Sequence, residues 1–316
     1  MLIILVVLLV LCAGIGIALA LYINSLNQSM SLDDGEKQEL QESLTQTSGD
    51  EPYYALLLGS DARATDTTSR SDTIILTRVD PSKGRVTLVS IPRDTKVEIP
   101  GHGTQKINAA YAFGGASGAV DAVSEFAGVK ISHYAEIHFD ELEKVVDDLG
   151  GIWVNVPVSN DQTGASNTGM SIRSGEQLMD GATALSFARE RYGYAEGDFQ
   201  RAENQRLVVQ GIANKVMTMS PAQVPGTVQS LAGSISTDYD VNDLIGLAQA
   251  FQKAYPYVSF YSCMTPSTTE TIGGVSYTIT LEDEWKQMME LVDAGKDPSA
   301  ASVSTNGTKA EESTDQ

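Results

Sequence analysis

The stretch RSDTIILTRVDPSKGRVTLVSIPRDT, residues 70–95, carries the strongest signal for the fold. It contains two runs of apolar and β-branched residues, TIILTRV (73–79) and RVTLVSI (85–91), and each run is typical of a strand. The turn residues DPSKG (80–84) lie between the runs. Because so short a turn joins neighbouring strands, the segment predicts an antiparallel hairpin.

The run YYALLLG (53–59) predicts another strand before this hairpin. The connection at 60–72 is polar and lacks a helical pattern, which favours an antiparallel return over a helical crossover. The end of the first strand, the start of the second and the end of the third are then expected at one sheet edge. A parallel second strand would instead start roughly 20 Å away. The charged residues expected at this edge are Asp61, Arg63, Arg70, Asp72, Arg93 and Asp94.

Helices and strands alternate in the remainder of the chain. The segment DELEKVVDDLGG (140–151) predicts an amphipathic helix that ends at its two glycines, between strands at 135–139 and 152–157. Strands flanked by helices predict an α/β fold, a three-layer αβα sandwich with a mixed central β-sheet.

Two further helices carry most of the remaining arginines. Apolar residues at 178, 182, 185 and 188 predict a helix over 175–191 with Arg189 and Arg191 in its last turn. A loop follows, and 199–216 predicts a second helix with Arg201 and Gln205 on one face. The last predicted elements are strands at 257–262 and 275–280 and a helix at 281–292.

Residues 1–23 are predicted to form a transmembrane anchor. Leu2–Ile23 is an uncharged run of 22 residues, which at ~1.5 Å per residue is long enough to cross a ~30 Å hydrocarbon core. Ala18–Ala20 resembles a signal-peptidase site, but the run is long for a cleaved signal, so a retained anchor is favoured.

Composition divides the rest of the chain into three segments. Residues 24–51 are rich in Ser, Gln and acidic side chains and predict an extracytoplasmic stalk. Residues 52–295 are expected to form the catalytic domain, and 296–316 a disordered acidic tail. Cys263 has no partner within this domain, so no disulfide framework is expected.

The charge and motif content exclude several classes of protein. A net charge of −20 without a basic stripe is unsuited to nucleic acid. The sequence contains neither a GxxxxGK[ST] phosphate loop nor a GxSxG elbow, which disfavours nucleotide hydrolysis and serine esterase chemistry. The three histidines, His102, His133 and His138, match no zinc-site spacing.

Arginine is nevertheless concentrated in one part of this acidic chain. All ten arginines lie between Arg63 and Arg206, whereas the lysines are scattered. A guanidinium matches phosphate bidentately, so the set favours an anion site, although any single arginine could belong to a weak surface ion pair. Asp61 and Asp72 suit Mg²⁺ or Mn²⁺ shared with substrate phosphates, while aspartates at strand ends are also ordinary turn formers.

Seven motifs closely resemble the LytR-CpsA-Psr family, in the family's order and over about residues 52–220. The motifs are LLLGSD (56–61), RSDTIIL (70–76), VSIPRDT (89–95), KINAAYAFGG (106–115), DDLGGIWVNVP (147–157), LSFARER (185–191) and GDFQRAENQR (197–206). The resemblance implies a phosphotransferase of the cell membrane, single-pass, with its catalytic domain on the extracytoplasmic face. It would transfer teichoic acid, capsule or another wall glycan from a polyprenyl pyrophosphate carrier to peptidoglycan, forming a phosphodiester.

The resemblance also implies roles for individual residues. Asp61 and Asp72 correspond to the metal-associated aspartates. The pyrophosphate-binding set corresponds to Arg70, Arg93, Arg189, Arg191, Arg201, Gln205 and Arg206. The proton of the acceptor hydroxyl would pass to Asp198 or Asp94, of which Asp198 is favoured because it lies between the two Arg-bearing helices, although it could equally hold Arg189 or Arg201 in a salt bridge.

Two alternatives differ from the transferase in chemistry. A polyprenyl pyrophosphate-glycan hydrolase would let water attack, and a non-catalytic envelope regulator would only bind polyprenyl phosphates. A lipid carrier also needs an apolar site, and the Ala- and Gly-rich segment 107–129 could leave a tunnel, although tight helix packing explains that composition more simply.

Overall fold

The quoted stretch folds as the expected antiparallel hairpin. Its strands, β2 (Ser71–Asp80) and β3 (Arg85–Ser90), pair in register from Ile75 opposite Ser90 to Asp80 opposite Arg85. A one-turn 3₁₀ helix, Pro81–Lys83, joins them, and Gly84 ends it with a φ of 57°, a left-handed conformation that glycine adopts readily. The computed structural model describes residues 22–30, 32, 34–47, 51–60 and 71–302.

The hairpin belongs to a mixed sheet of six strands. The strand before it, β1 (Tyr53–Ser60), pairs antiparallel with β2 and parallel with β6 (Ile131–His138). At the two sides of the sheet, β10 (Ser259–Met264) runs parallel to β3 and the short β9 (Ser236–Thr237) runs antiparallel to β6. The order is therefore β10-β3-β2-β1-β6-β9, which confirms the predicted mixed sheet and the antiparallel return after β1.

The other strands form three two-stranded sheets, and helices connect the strands. The small sheets pair β4 (Lys96–Ile99) with β5 (Gly103–Lys106), β7 (Ile152–Val156) with β8 (Gly175–Met179), and β11 (Ser267–Ile272) with β12 (Val275–Thr280). The helices are α1 (22–30), α2 (Asp34–Ser43), α3 (Ala109–Ala127), α4 (Phe139–Asp148), α5 (Gly181–Arg189), α6 (Asp198–Thr218), α7 (Val224–Leu231), α8 (Val241–Ala254), α9 (Glu282–Asp293) and α10 (Ser299–Ser302).

Helices cover both faces of the large sheet. Alternate residues of β1 and β2, such as Leu56 and Leu76, face α3 and α9, because side chains along a strand alternate between its faces. Their neighbours, such as Ala55 and Ile75, pack with side chains of α6 and α8. This arrangement is the expected three-layer sandwich.

The Ala- and Gly-rich segment packs tightly instead of leaving a tunnel. Six alanines of α3 are buried in the core that the helix shares with the sheet. The helix is kinked at Gly114 and Gly115. Beyond the kink, a Cβ on Gly118 would approach the carbonyl oxygen of Ala110 to 2.7 Å. The small residues therefore allow close backbone contact.

One predicted helix is wrong in its first part. Residues 175–179 form strand β8, whose Leu178 lies opposite Trp153 of β7 and is exposed. The helix begins at Gly181, because the side chain of Asp180 caps it by accepting from the Thr183 N–H at 2.9 Å. It ends at Arg189, so Arg191 lies in the following loop and not in the last turn.

Parts of the segments predicted as stalk and tail pack against the folded body. Leu40 of α2 and Met30 of α1 are each 1% exposed, and Leu40 lies in the core beneath α3. Ala301 of α10 is also buried. The domain boundaries themselves stay predictions.

The predicted anchor falls mostly on residues 1–21, outside the described part of the chain. Among residues 22–302, as far as they are described, no helix has both the length and the apolar character needed to span a bilayer.

Candidate active site

The sheet register brings the charged ends of three strands to one edge. Ser60 at the end of β1 pairs with Ser71 at the start of β2, and Ser90 at the end of β3 pairs with Ile75. Asp72 and Arg93 meet at this edge, where the Arg93 guanidinium donates a hydrogen bond to the Asp72 carboxylate. Asp61, Arg63 and Arg70 were expected at the same edge but lie outside the described residues.

The loop after β3 is fixed by backbone hydrogen bonds on both sides of Arg93 and Asp94. The Arg93 carbonyl accepts from the Asn108 N–H at 3.2 Å, just before α3. The Asp94 carbonyl accepts from the Thr278 N–H of β12 at 2.9 Å, and its carboxylate lies 3.0 Å from Lys106 Nζ. Both side chains are therefore presented by a rigid part of the fold.

The start of α6 supplies a second charged group of residues. Asp198 is the first residue of this helix, and its Oδ1 lies 2.6 Å from Arg201 Nη2, one turn later. Arg191 approaches the same oxygen from the preceding loop, with its Nε at 3.8 Å. This buried oxygen lacks a hydrogen bond of good geometry despite these charges, so it retains capacity as an acceptor.

The two groups of residues form one electrostatic unit. Burial lowers the pKa of the Arg201 guanidinium, and the positive charges of Arg93 and Arg191 lower it further, against the opposing charges of Asp198 and Asp72. Burial also acts to lower the pKa of Arg93, but the hydrogen bond and charge of Asp72, with smaller effects from Asp94 and Asp198, raise it overall. The edge therefore holds guanidinium groups close enough together to repel one another, an arrangement suited to a polyanion.

The other predicted pyrophosphate-binding residues that the structure describes differ in their burial and contacts. The Arg189 guanidinium lies 5.6 Å from the Phe139 ring centroid, next to the end of β6. Gln205 is buried and donates to the Ala188 carbonyl at 3.2 Å. Arg206 is buried as well, and its guanidinium donates to Ser262 Oγ and Ser90 Oγ, both at 2.6 Å. The pyrophosphate contacts of these residues stay predictions.

Glu190 has a structural role that the sequence patterns did not reveal. Its carboxylate is fully buried and accepts hydrogen bonds from the loop around it. The donors include Thr168 Oγ1 at 2.8 Å, the Gly193 N–H at 3.0 Å and the Asn167 N–H at 3.3 Å. Burial acts to raise the pKa of Glu190, but the hydrogen bonds, with that from Ser166 the largest, lower it to about 2.

Replacing Glu190 with glutamine is expected to loosen this loop and reduce stability most at neutral pH. Since the folded-state pKa of about 2 is below the usual carboxyl value, the ionised group stabilises the fold above ~pH 4.5 and loses this contribution as the pH falls toward 2. Denaturant unfolding of both proteins at pH 7 and pH 3 measures the difference. An equal loss of unfolding free energy at both pH values would contradict the assignment.

Apolar cavities lie beneath the charged edge, between the sheet and the helices α4 and α6–α8. The edge cavity, of about 250 Å³, is lined by Thr73, Glu136, Phe139 and Gln205 together with apolar side chains. The inner cavity, of about 350 Å³, continues toward Tyr53 and Phe251. The residues that line both cavities are Leu57, Ala135, Val209, Leu231 and Ile235. An apolar path therefore adjoins the charged site on the face of the sheet opposite α3.

The described residues fit a metal shared with substrate but not a metal held by protein alone. They contain no group of three or more histidine, cysteine, aspartate or glutamate side chains placed to bind an ion. Mg²⁺ in phosphate-handling sites commonly uses one or two carboxylates, with waters and substrate phosphates completing the shell. The partly exposed carboxylate of Asp72, beside Arg93, suits that donor set.

Comparison with known proteins confirms, over most of the chain, the family that the sequence motifs predicted. The model of the LytR_cpsA_psr family matches residues 16–293. A relative from Enterococcus faecalis, named polyisoprenyl-teichoic acid–peptidoglycan teichoic acid transferase TagU, is 36% identical over 76% of this chain and 78% of its own. The protein of the same name from Bacillus subtilis is 31% identical over 83% of this chain and 84% of its own.

A solved structure confirms the architecture. The crystal structure of Bacillus subtilis TagV superposes with a TM-score of 0.69 at 25% sequence identity, covering 78% of this chain and 98% of that one. With the family match and the two relatives, the conclusion is that this chain belongs to the LytR-CpsA-Psr family.

Proposed function

We propose that the protein is a phosphotransferase that moves a teichoic acid from a polyprenyl pyrophosphate carrier to a hydroxyl group of peptidoglycan. The observation that carries this proposal is the charged edge next to an apolar path. Arg93, Arg191 and Arg201 surround Asp72 and Asp198, and the edge cavity starts beside Thr73 and Gln205. A polyprenyl pyrophosphate combines the same two properties in one molecule, a compact polyanion on an apolar chain.

The reaction that fits this site exchanges one phosphorus–oxygen bond for another. The acceptor hydroxyl oxygen forms a bond to the phosphorus that bears the glycan, and the bond from this phosphorus to the bridging oxygen breaks. The products are the glycan-phosphate-peptidoglycan diester, a polyprenyl phosphate and a proton. Because charge spreads over the phosphoryl oxygens in such a transition state, positioned guanidinium groups supply most of the catalysis.

Binding of the donor also changes the state of the carboxylates. In the described part of the site, the cations Arg93, Lys106 and Arg201 lie beside Asp72, Asp94 and Asp198, respectively. A pyrophosphate competes for Arg93 and Arg201 and thereby weakens their hold on Asp72 and Asp198. Asp198 is then left free to accept a hydrogen bond from the acceptor hydroxyl, whereas the ion pair of Asp94 with Lys106 lies outside that exchange. We therefore assign acceptance of the acceptor proton to Asp198.

A divalent metal would be held by Asp72 together with Asp61 and the substrate phosphates. When bound, Mg²⁺ or Mn²⁺ supplies positive charge that stabilises the leaving phosphate. Arg93 orients Asp72 through its hydrogen bond, so the protein residues that would hold the metal and the donor act as one unit.

The apolar cavities are assigned to the polyprenyl chain, which makes the membrane the source of the donor. A site for a membrane lipid agrees with the predicted anchor at 1–23 and with an extracytoplasmic catalytic domain in a single-pass protein. The relatives' names favour teichoic acid over capsule as the transferred polymer.

The decisive experiment incubates the full chain, purified in detergent, with a polyprenyl pyrophosphate glycan and peptidoglycan oligomers, with and without Mg²⁺. Mass spectrometry then identifies the products. A glycan-phosphate-peptidoglycan adduct is expected. Free glycan phosphate without adduct would identify a hydrolase instead, and intact donor that remains bound would identify a binding protein.

Replacing Val209 with phenylalanine tests the assignment of the cavities. Val209 lines both of them, so a larger side chain should shorten the apolar path. Turnover of a long-chain donor is expected to fall about tenfold, which corresponds to the lost burial of one or two methylene groups of the polyprenyl chain. Turnover of a short-chain donor should change less than about twofold. Val275→Phe, at an exposed position of β12, is the control, and equal losses for both donors would argue against this path.

A further inference from the structure

Two large aromatic side chains close to Asp198 in the sequence are exposed. Tyr192 is 58% exposed and Phe199 is 44% exposed. The Arg191 guanidinium lies 5.8 Å from the Tyr192 ring centroid, and Arg191 Nε lies 3.8 Å from Asp198 Oδ1. The Arg191 guanidinium therefore lies between the Tyr192 ring and the carboxylate of Asp198.

The loop that carries Tyr192 is held rigidly by the segment at 159–170. The Tyr192 N–H donates to Asn167 Oδ1 at 3.1 Å, and the Thr163 hydroxyl donates to the Tyr192 carbonyl. The next residue, Gly193, is so close to this segment that a Cβ there would approach the Asn160 carbonyl oxygen to 2.1 Å. These contacts fix the position of the Tyr192 ring, as a residue that orients a ligand requires.

The chemistry of the acceptor matches this surface. A sugar ring has one face formed mainly by C–H groups, and the electron-rich face of an aromatic ring attracts the positive edge of such groups. Asp198, as the group that accepts the proton, must lie beside the acceptor hydroxyl. The Tyr192 ring is separated from Asp198 only by the Arg191 guanidinium. It is therefore close to the sugar that carries this hydroxyl.

We propose that Tyr192, with Phe199, forms the acceptor subsite by stacking against a sugar ring of the peptidoglycan glycan chain. This inference rests on the proposed transferase function and specifies where its second substrate binds. The alternative role for Tyr192 is to support Arg191 by a cation–π contact, and that role would act on the donor instead of the acceptor.

Steady-state kinetics on the full chain in detergent, with donor and acceptor varied separately, distinguish the two roles. Tyr192→Ala is expected to raise the acceptor KM about tenfold while the donor KM and kcat change less than about twofold. Tyr192→Phe should behave like the wild type, because stacking needs the ring and not the hydroxyl. Phe199→Ala should raise the acceptor KM by a smaller factor.

Tyr257→Ala is the matched control. Tyr257 is 85% exposed and precedes β10, whose first residue pairs with Arg85 at the sheet edge opposite Arg93. This variant should leave both KM values unchanged. A rise in the donor KM of Tyr192→Ala with an unchanged acceptor KM, or unchanged kinetics, would overturn the proposed subsite.

Binding of soluble peptidoglycan glycan chains without donor separates this inference from the proposed function. Nuclear magnetic resonance titration should show weaker binding by Tyr192→Ala than by the wild type. If the wild type forms no adduct but binds these chains through Tyr192, the subsite stands and the transferase assignment fails. If it forms the adduct and Tyr192→Ala binds and reacts normally, the transferase stands and the subsite is wrong.

Discussion

Replacing Arg93 with alanine is expected to abolish both donor binding and transfer. Its guanidinium holds Asp72, and the charges of Asp94 and Asp198 act on it as well, so Arg93 links the two charged groups of the site. Loss of a single preorganised hydrogen-bond donor that stabilises charge in a transition state costs about 10²- to 10³-fold in rate. Since Arg93 is also assigned to binding the donor, kcat/KM should fall by about 10³-fold or more.

Two further variants show whether the loss comes from the guanidinium fork at this edge. Arg93→Lys keeps the charge but not the planar fork, so its activity should lie between those of the wild type and Arg93→Ala. Arg85→Ala removes an arginine from the other end of β3, where its guanidinium donates to the Gly295 carbonyl and lies 5.6 Å from the Tyr261 ring centroid. Arg85→Ala should retain activity within about threefold even if its stability falls. Donor binding and adduct formation are measured on each variant, and normal turnover by Arg93→Ala would refute the assigned role.

The sequence was sufficient to predict this sheet edge because local signals and connection lengths agreed. The turn at 80–84 allows only neighbouring antiparallel strands, and the polar sequence at 60–72 lacks the pattern of a crossover helix. Two antiparallel returns bring Asp72 and Arg93 to the same edge without any knowledge of side-chain packing. The strand pattern and the connection lengths therefore predicted correctly that Asp72 and Arg93 lie together.

The prediction of a helix at 175–179 was wrong because the apolar residues there fit a helical spacing although the segment is a strand. Leu178 and Ala182 are four residues apart, which matches one face of a helix, but Leu178 faces solvent in β8 and the helix starts only after Asp180. Apolar spacing does not reveal whether a residue is buried, and this strand is set by its pairing with β7. An Asp-Gly pair in the middle of the predicted helix was the signal that could have located the boundary.

Tertiary contacts determine the features that no local pattern could reveal. Glu190 accepts several of its hydrogen bonds from residues more than twenty positions earlier, such as Thr168, so its buried role depends on how two distant loops meet. The apolar cavities depend likewise on helices that pack against the sheet from 198 onward. The only place that the sequence suggested for a lipid was the Ala- and Gly-rich segment 107–129, whereas these cavities lie on the other face of the sheet.

Replacing Asp72 with asparagine is expected to reduce the metal-dependent rate strongly while donor binding is largely retained. The asparagine keeps the size of the side chain but lacks the charge that suits Mg²⁺. With the site saturated by donor, the rate should fall by about 10²-fold or more, and a higher Mg²⁺ concentration should be needed for half of the remaining rate. The affinity for donor, measured by direct binding, should change less than about threefold, because Arg93 keeps its own charge.

The same substitution also removes the negative charge that strengthens the hydrogen bond from Arg93, so this second effect must be separated from the loss of the metal ligand. If Asp72 acted only through Arg93, Asp72→Asn would weaken donor binding as Arg93→Ala does, and the double variant would be no worse than Arg93→Ala alone. Asp94→Asn controls for the loss of one negative charge, because Asp94 pairs with Lys106 and takes no part in the ion pair between Asp72 and Arg93. A Mg²⁺ dependence of Asp72→Asn equal to that of the wild type would exclude Asp72 as a metal ligand and leave it as the residue that positions Arg93.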